Sequence, residues 1–436
     1  MQNHKKIHIT TLGCSKNIYD SELLMGQLQT HRAELVDEPD EAEVIIINTC
    51  GFIDLAKQES IDAILEAEQL KKEDPSKKIV VCGCLSQRYQ KELKSEIRSV
   101  DAFFGTEDFA NILNYLNYTS DVSPDHLYEK RLLTTPGHYA YLKISEGCNH
   151  TCSFCAIPLM RGRHRSRAME NIVHEARQLA RQGVKELIII SQDTTFYGLD
   201  LYGSQQIVPL LKQLEEIPGI EWIRLHYLYP TTVPDELIDR MAISEKIVPY
   251  LDMPIQHISD RMLKIMKRGG KANRIREIFE QARRKIPGIF LRTTVIVGHP
   301  GETEQDFVGL KRFVREFEFD RLGVFQYSHE ENTTAFQMED LPLEIKDERY
   351  RELMAIQREI SLMKNSNRVG RVMRIIVDEI DWKTLTVIGR TKGDSPEIDN
   401  EVIVENVNRP IRVGDMINVR ITDAAEYEMY ATIEDT

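Results

Sequence analysis

Three cysteines packed into eight residues, Cys148, Cys152 and Cys155, constrain this 436-residue chain more than anything else in it. They stand in the run Glu146-Gly147-Cys148-Asn149-His150-Thr151-Cys152-Ser153-Phe154-Cys155. Gaps of three and two residues let three thiolates hold three corners of an iron–sulfur cube and leave the fourth iron without a protein ligand. Electron carriers close all four irons with cysteine. An open iron instead takes a small chelating ligand, as the free position of a catalytic zinc does. A zinc knuckle or a redox pair is the alternative, but His150 and His164 are the sole neighbouring candidates for a further zinc ligand.

The length predicts about three domains. A hydrophobic content of 42% and a charged content of 29% describe a soluble globular chain with material for several cores. Met1–Thr11 has no apolar stretch of the kind a secretion signal needs. The longest apolar runs, such as Val44–Ile47 and Leu187–Ile190, are too short to span a bilayer. Seven cysteines without a regular framework point to metal binding in a reducing compartment rather than to disulfides. The expectation is a cytoplasmic protein with no membrane partner. A net charge of −13 argues against a large basic nucleic-acid surface and suits a basic partner.

Residues 1–135 alternate short strands with amphipathic helices, the pattern of a parallel sheet covered on both faces. Strands are predicted over Lys6–Thr11, Glu43–Asn48, Lys78–Val81 and Asp101–Phe104, and helices over Asp20–Thr30 and Asp54–Lys72. Cys14 follows the first strand, Cys50 ends the second and Cys84 the third. The C-terminal ends of parallel strands share one edge, where ligands bind. The three thiols can therefore meet there and form a second open cluster site, the alternative being three buried structural cysteines. Gly13, Gly51 and Gly83 adjoin them and leave room for a bulky group. Cys82, two residues before Cys84, would face the same way on a strand. Cys84 is preferred as the ligand because it lies nearer the open edge. Thr119–Thr135 reads as a linker.

Residues 136–367 supply six predicted strands, Tyr139–Ser145, Glu186–Ser191, Trp222–His226, Val248–Asp252, Phe290–Val297 and Leu322–Tyr327. Helical patterns over Asn171–Gln182, Val233–Met241, Ala272–Lys285 and Glu304–Phe317 separate them. Six βα units imply a partial TIM-like (β/α)6 barrel with its site at the C-terminal mouth of the strands. Ser191, Gln192 and Asp193 close the second strand and could hold a ligand's polar end, or cap a helix. Gln256 and His257 follow the fourth strand, and Gly298 opens the turn Gly298-His299-Pro300-Gly301-Glu302 after the fifth. Gln256 and His257 could bind a ribose or substrate, or His257 could be structural; Gly298 could meet a close adenine, and Phe154 could lie against the same ring. Arg161, Arg163, Arg165 and Arg167 form either a grip for an anionic group or a solvated charge run.

Residues 368–436 read as five short strands, Val372–Asp378, Thr384–Arg390, Glu401–Glu405, Met416–Asp423 and Tyr430–Ile433, hence an OB-like β-barrel. From Val369 onward acidic residues exceed basic ones by six, nearly half of the chain's net charge.

Taken together these residues resemble the methylthiotransferases, a family of radical S-adenosylmethionine (SAM) enzymes, and the resemblance covers essentially the whole chain. It is carried by Leu12-Gly13-Cys14-Ser15-Lys16-Asn17 with Asp20-Ser21-Glu22, by Asn48-Thr49-Cys50-Gly51-Phe52-Ile53, and by Gly83-Cys84-Leu85. The run Gly147–Cys155, followed by Ile157-Pro158-Leu159-Met160-Arg161-Gly162 and Ser166-Arg167, completes it. The variants look like the branch that modifies an aspartate of the small-subunit ribosomal protein S-twelve. The transfer-RNA branch tends to carry Gln-Met-Asn where this chain has Ser15-Lys16-Asn17. The resemblance implies an N-terminal cluster domain, a radical SAM barrel and a C-terminal TRAM domain. It implies two 4Fe-4S clusters, an auxiliary one on Cys14, Cys50 and Cys84 and a SAM-binding one on Cys148, Cys152 and Cys155. Of the four arginines it favours Arg161 and Arg167. The reaction it implies consumes two SAM molecules and draws electrons from a flavodoxin-type reductant, without any need for RNA contact. An acidic third section suits a basic ribosomal protein better than RNA phosphates. Methylthiolation of transfer-RNA adenosine, or a non-catalytic iron–sulfur factor docking on the ribosome, are the competing readings.

Overall fold

Runs of β-branched residues separated by amphipathic stretches become a five-stranded parallel sheet in the N-terminal part of the chain. Its order is β2 (Glu34–Leu35), β1 (Lys6–Thr11), β3 (Val44–Thr49), β4 (Lys78–Gly83) and β5 (Ala102–Phe103). The computed structural model describes residues 5–118, 128, 130–407 and 409–434. Most of the expected linker Thr119–Thr135 therefore lies outside the described residues. The chain divides into two units, the first made of Met1–Thr134, Tyr141–Asn149 and Cys155–Gln178, the second of the remainder.

In the first unit the period-two alternation of strands sorts the core. Ile7, Ile9, Val44, Ile46, Val80 and Cys82 share one apolar layer with Leu24 and Leu28 of helix α1 (Ser15–Thr30). Ile45, Ile47, Ile79 and Val81 pack on the other face against Ile64 and Ala67 of α2 (Asp54–Glu73) and Leu85 and Leu93 of α3 (Cys84–Glu96). Two expectations change. Helix α1 starts at Ser15, five residues before the predicted Asp20, because Asn17 and Ile18 already donate to the Cys14 carbonyl. Cys84 does not end a strand. The strand stops at Gly83, whose φ of +93° turns the chain, and Cys84 is the first residue of a helix. Cys82 and Cys84 therefore do not share a face.

The first predicted barrel strand forms as β6 (Tyr139–Lys143). In the second unit, β7 (Glu186–Ile190) pairs in parallel with β8 (Trp222–Leu225). A second sheet is built from β9 (Tyr250–Asp252), β10 (Phe290–Val297) and β11 (Arg321–Gln326). A parallel bridge between Ile223 and Ile247 links β8 to the chain entering β9. The result is the expected partial barrel. The last five strands, β12 (Val372–Asp381), β13 (Thr386–Thr391), β14 (Glu401–Val404), β15 (Met416–Ala424) and β16 (Glu428–Ile433), close into a small barrel in the order β12-β13-β14-β16-β15.

The segment Arg390–Asp399 of that small barrel packs on Glu186, Tyr250, Phe290 and Arg321, which begin four strands of the larger one, and on Arg224, His226 and Arg292 further along. Arg390 donates to Glu186 (2.8 Å), which also accepts from Arg224 (2.7 Å). Asp399 accepts from the Tyr250 hydroxyl (2.6 Å) and from Arg292 (3.3 Å), while Ser395 bonds His226 (2.9 Å). Asp394 accepts from Arg321, and Gly393 lies so close to Phe290 that a Cβ would stand 2.1 Å from its ring. The N-terminal ends of the strands are thus covered, and their C-terminal ends are left for chemistry. Asp378, Asp394 and Asp399 also spend their charge inside the unit, so the average acidity of this section overstates what a partner would meet.

Burial alone would raise the pKa of Asp394, but Arg321 and the Thr391 hydroxyl hold it below the ordinary value of 3.8. A carboxyl lowered in the folded state stabilises the fold above its unfolded pKa and loses that contribution as pH falls through the folded one. Asp394→Asn is expected to cost about 3 kcal/mol at neutral pH, because it leaves Arg321 buried without its anion. The deficit relative to the parent should shrink as pH drops below about 3.8, as chemical denaturation at a series of pH values would measure.

Candidate active site

The loops that leave β1, β3 and β4 deliver Cys14, Cys50 and Cys84 to one edge of the first unit's sheet. Cys14 caps α1, Cys50 directly follows β3, and Cys84 opens α3. A Cβ at Gly13, where φ is +93°, would stand 2.7 Å from Cys50 Cβ and 2.9 Å from its sulfur, so only glycine lets this turn lie against the thiol. Cys84 is pushed up to about 12 by burial, against the pull of Arg161 and with the help of the neighbouring Cys14 and Cys50. Burial likewise raises Cys50. Among the described residues no three His, Cys, Asp or Glu side chains form a ready set for a metal ion. Three thiols at a glycine-cleared edge, one of them touched by a cation, fit a polynuclear iron–sulfur group that thiolates bind by losing their protons.

The polar residues of the N-terminal motifs hold this edge in shape. Asn17 donates to the carbonyls of Leu12 (2.7 Å) and Thr49 (3.0 Å), tying the first cysteine loop to the second. Asn48 donates to the Asn17 carbonyl and to Ser21, each at 3.0 Å. The Ser60 hydroxyl brackets Cys50 through both its N–H and its carbonyl, at 2.9 Å each. Asp20 meets Lys143 (2.5 Å) and Arg161 (2.6 Å), which also share Glu146 at 2.7 and 3.1 Å. Glu22 accepts from Arg131, which also donates to Glu175 at 3.0 Å and to the Tyr141 carbonyl at 2.6 Å. Burial disfavours the charge on Arg161 and on Lys143, but Asp20 and Glu146 outweigh it and raise both pKa values.

The segment after Cys155 reaches the same edge. Ala156, Ile157 and Met160 pack on Cys84, the Thr106 hydroxyl donates to the Met160 carbonyl (3.2 Å), and Arg161 Nε donates to the Cys84 sulfur (3.3 Å). Arg161 and Arg167 therefore do not wait for an anionic ligand. Arg161 is engaged by Asp20 and Glu146, and Arg167 by Glu175 (2.7 Å) and the Tyr19 hydroxyl (2.8 Å). Arg163 and Arg165 are exposed.

In the second unit Cys152 stands beside the Tyr229 hydroxyl (3.8 Å) and Arg268 Nη1 (3.5 Å), with the Arg268 guanidinium 4.0 Å from the Tyr229 ring centre. His150 stacks on Tyr229 with centroids 3.5 Å apart and bonds Asp193 (2.7 Å). Asp193 also accepts from the backbone N–H of Thr195 and Phe196, so it acts as the helix cap that the sequence left open as an alternative. Ser191 is buried against Thr194, and Gln192 is half-buried beside it. Gln256 holds a left-handed φ of +69°, and its buried amide oxygen has no hydrogen-bond partner among the described residues. An unanswered acceptor at a barrel mouth fits a ligand hydroxyl. His257 is a brace: its Nδ1 accepts from Ile258 and Ser259, and its Nε2 faces Glu302 at 3.2 Å. Gly298, at φ +73°, donates its N–H to Glu302 (2.6 Å). Phe154 meets His299 edge to face at 6.2 Å, and Ser153 bonds the same imidazole at 3.1 Å. Tyr229, Arg268, Asp20 and Glu146 were not among the predicted site residues. Asp20 and Glu146 stood within the quoted motifs, whereas Tyr229 and Arg268 carried no sequence signal.

Family models match Uncharacterized protein family UPF0004 over residues 6–105, the Radical SAM superfamily over 142–314 and the TRAM domain over 369–433. The ribosomal protein uS12 methylthiotransferase RimO of Aquifex aeolicus is 50% identical over 97% of this chain and 96% of its own length. The RimO proteins of Flavobacterium johnsoniae and Bacteroides thetaiotaomicron are each 48% identical over 98% of this chain, covering 97% and 98% of their own lengths. Among solved structures, the radical S-adenosylmethionine methyltransferase TsrM of Kitasatospora setae aligns with a TM-score of 0.55 at 14% identity. That alignment covers 74% of this chain and 73% of TsrM, a likeness of fold.

Cys82→Ala is expected to lower stability by about 1 kcal/mol through the void it leaves in the apolar layer, and to leave reconstituted iron nearly intact. Cys84→Ala should remove about half of the iron. Iron and sulfide analysis of anaerobically reconstituted protein checks both, and the reverse pattern would move the ligand to Cys82.

Proposed function

Since the chain belongs to the RimO family of ribosomal protein uS12 methylthiotransferases, radical SAM enzymes, we propose that it adds a methylthio group to the β-carbon of an aspartate in uS12. One observation supports this reading above the rest. The thiol edge of Cys14, Cys50 and Cys84 is in direct contact, through Cys84, with the residues that immediately follow Cys155. A sulfur carried at one site and a hydrogen taken at another need such closeness to meet on one carbon.

In this reading residues 1–135 carry an auxiliary 4Fe-4S cluster on Cys14, Cys50 and Cys84. Residues 136–367 hold a second on Cys148, Cys152 and Cys155, and residues 368–436 serve substrate docking. Bound together, the clusters and SAM supply reductive sulfonium cleavage, hydrogen abstraction from an unactivated carbon and a methylated sulfur to transfer. The chain's own residues position and exclude water. Gln256 offers its free amide oxygen to a ribose hydroxyl. Gly298 lets the backbone approach an adenine, Phe154 presents its ring to the same base, and Ser191, Gln192 and Asp193 line the methionine end. Asp193, through His150 and Tyr229, fixes the wall beside Cys152. His299, whose pKa burial lowers, anchors the cysteine loop through Ser153.

A basic ribosomal protein fits the acids that remain outward on the small barrel. Glu379, Asp381 and Glu405 line a groove there with Thr384 and Thr386. Among the described residues no helix is long and apolar enough to cross a membrane, and the reading places the enzyme in the cytoplasm with a flavodoxin-type electron donor.

Anaerobic reconstitution should yield eight irons, about four per cluster. Incubation with SAM, a strong reductant and a uS12 peptide carrying deuterium on the aspartate β-carbon should give deuterated deoxyadenosine and a peptide bearing one methylthio group. Deoxyadenosine without transferred label, or modification of transfer RNA in place of the peptide, would contradict the assignment.

A further inference from the structure

We propose that Arg161 is a positioning residue whose guanidinium, through its hydrogen bond to the Cys84 sulfur, sets the redox poise of the cluster bound at Cys14, Cys50 and Cys84. The proposal deepens the functional reading and rests on its assignment of that cluster.

Every nitrogen of the Arg161 fork has a task. Nε points at the Cys84 sulfur (3.3 Å), Nη1 at Asp20 (2.6 Å) and Glu146 (3.1 Å), and Nη2 at the Asn17 amide oxygen. The side chain is only 4% exposed, so it has no solvated alternative. Asp20 and Glu146 are matched by Arg161 and Lys143, which makes the set neutral before any thiolate is counted. Arg161 thus has N–H capacity to spare for sulfur without being drawn away. Hydrogen bonds to cluster sulfurs are one of the main settings of cluster potential. A cationic donor stabilises the more negative, reduced state and so raises the potential. A lysine could supply the charge, but it cannot reach sulfur, two carboxylates and an amide at once.

The placement adds a consequence for the two cysteine trios. Arg161 ends the short helix Ile157–Arg161, which begins two residues after Cys155, and Ala156 and Met160 of the same segment press on Cys84. The donor that tunes one sulfur site is therefore built on the chain segment that leaves the other.

The test uses the full chain carrying Cys148→Ala, Cys152→Ala and Cys155→Ala, so that only the cluster in question remains. Its potential is read by redox titration with electron paramagnetic resonance detection after anaerobic reconstitution. Adding Arg161→Gln should lower the equilibrium constant for reduction about tenfold, a shift of about 59 mV to more negative potential for one electron. Arg161→Lys should lower it about threefold. Asp20→Asn, which removes negative charge, should move it the other way. Opposite signs for Arg161→Gln and Asp20→Asn support the proposal, since simple loosening of the site would shift both alike. A constant within twofold of the parent in Arg161→Gln, or shifts of the same sign, overturns it. If Arg161→Gln fails to hold a cluster, the Arg161→Lys and Asp20→Asn pair decides by the same opposition of sign. A parent that binds no iron overturns the cluster assignment itself, and the proposal with it.

Discussion

Four buried charges, Asp20, Lys143, Glu146 and Arg161, form the interaction on which the first unit's site depends. Each ion loses several kcal/mol of hydration on burial, and only close, well-satisfied pairing makes that tolerable. The geometry meets the condition, with contacts between 2.5 and 3.1 Å and further acceptors in Asn17 and the Cys84 sulfur. Such a set is intolerant of losing a member, because the remaining ions would be stranded. It also joins residues more than a hundred positions apart in sequence, so the later segment is tied to the cysteine edge through it.

The second unit shows a complementary division of labour. Charged side chains at the N-terminal ends of the strands are used up where the segment Arg390–Asp399 packs, with Glu186, Asp394 and Asp399 all engaged by arginine. At the opposite ends the polar groups are arranged differently. Gln256 keeps an unanswered acceptor, and Cys152 is flanked by a phenol and a guanidinium. One end is saturated and serves stability, and the other retains capacity for ligands.

Much of this was legible in the sequence because it is local. Lys6–Thr11, Ala272–Lys285, Phe290–Val297 and Glu304–Phe317 were read to the residue, since alternation and helical periodicity are properties of a few consecutive side chains. The five strands of the terminal barrel were likewise visible from their turns. Helix Cys84–Glu96 was missed because its polar, kinked sequence carries little apolar signal, with non-helical angles at Tyr89. The roles of Arg161 and Arg167 were misjudged for a different reason. A row of arginines looks the same whether its counter-ions come from a ligand or from Asp20, Glu146 and Glu175.

The sequence by itself determined the thiol inventory, the placing of Cys14 and Cys50 at strand ends, and the family to which the chain belongs. Those follow from spacing along one strand or loop, or from short motifs, and need no knowledge of what lies across the core. The sequence also favoured Cys84 over a packed Cys82, but only the tertiary structure decided that Cys84 opens a helix and faces the charged set, and that His257 is a brace. It alone revealed that three acids of the terminal barrel are turned inward. The physical reason is that burial and pairing are relations between distant segments. A side chain's chemistry is then fixed by whichever groups the fold brings within hydrogen-bonding distance.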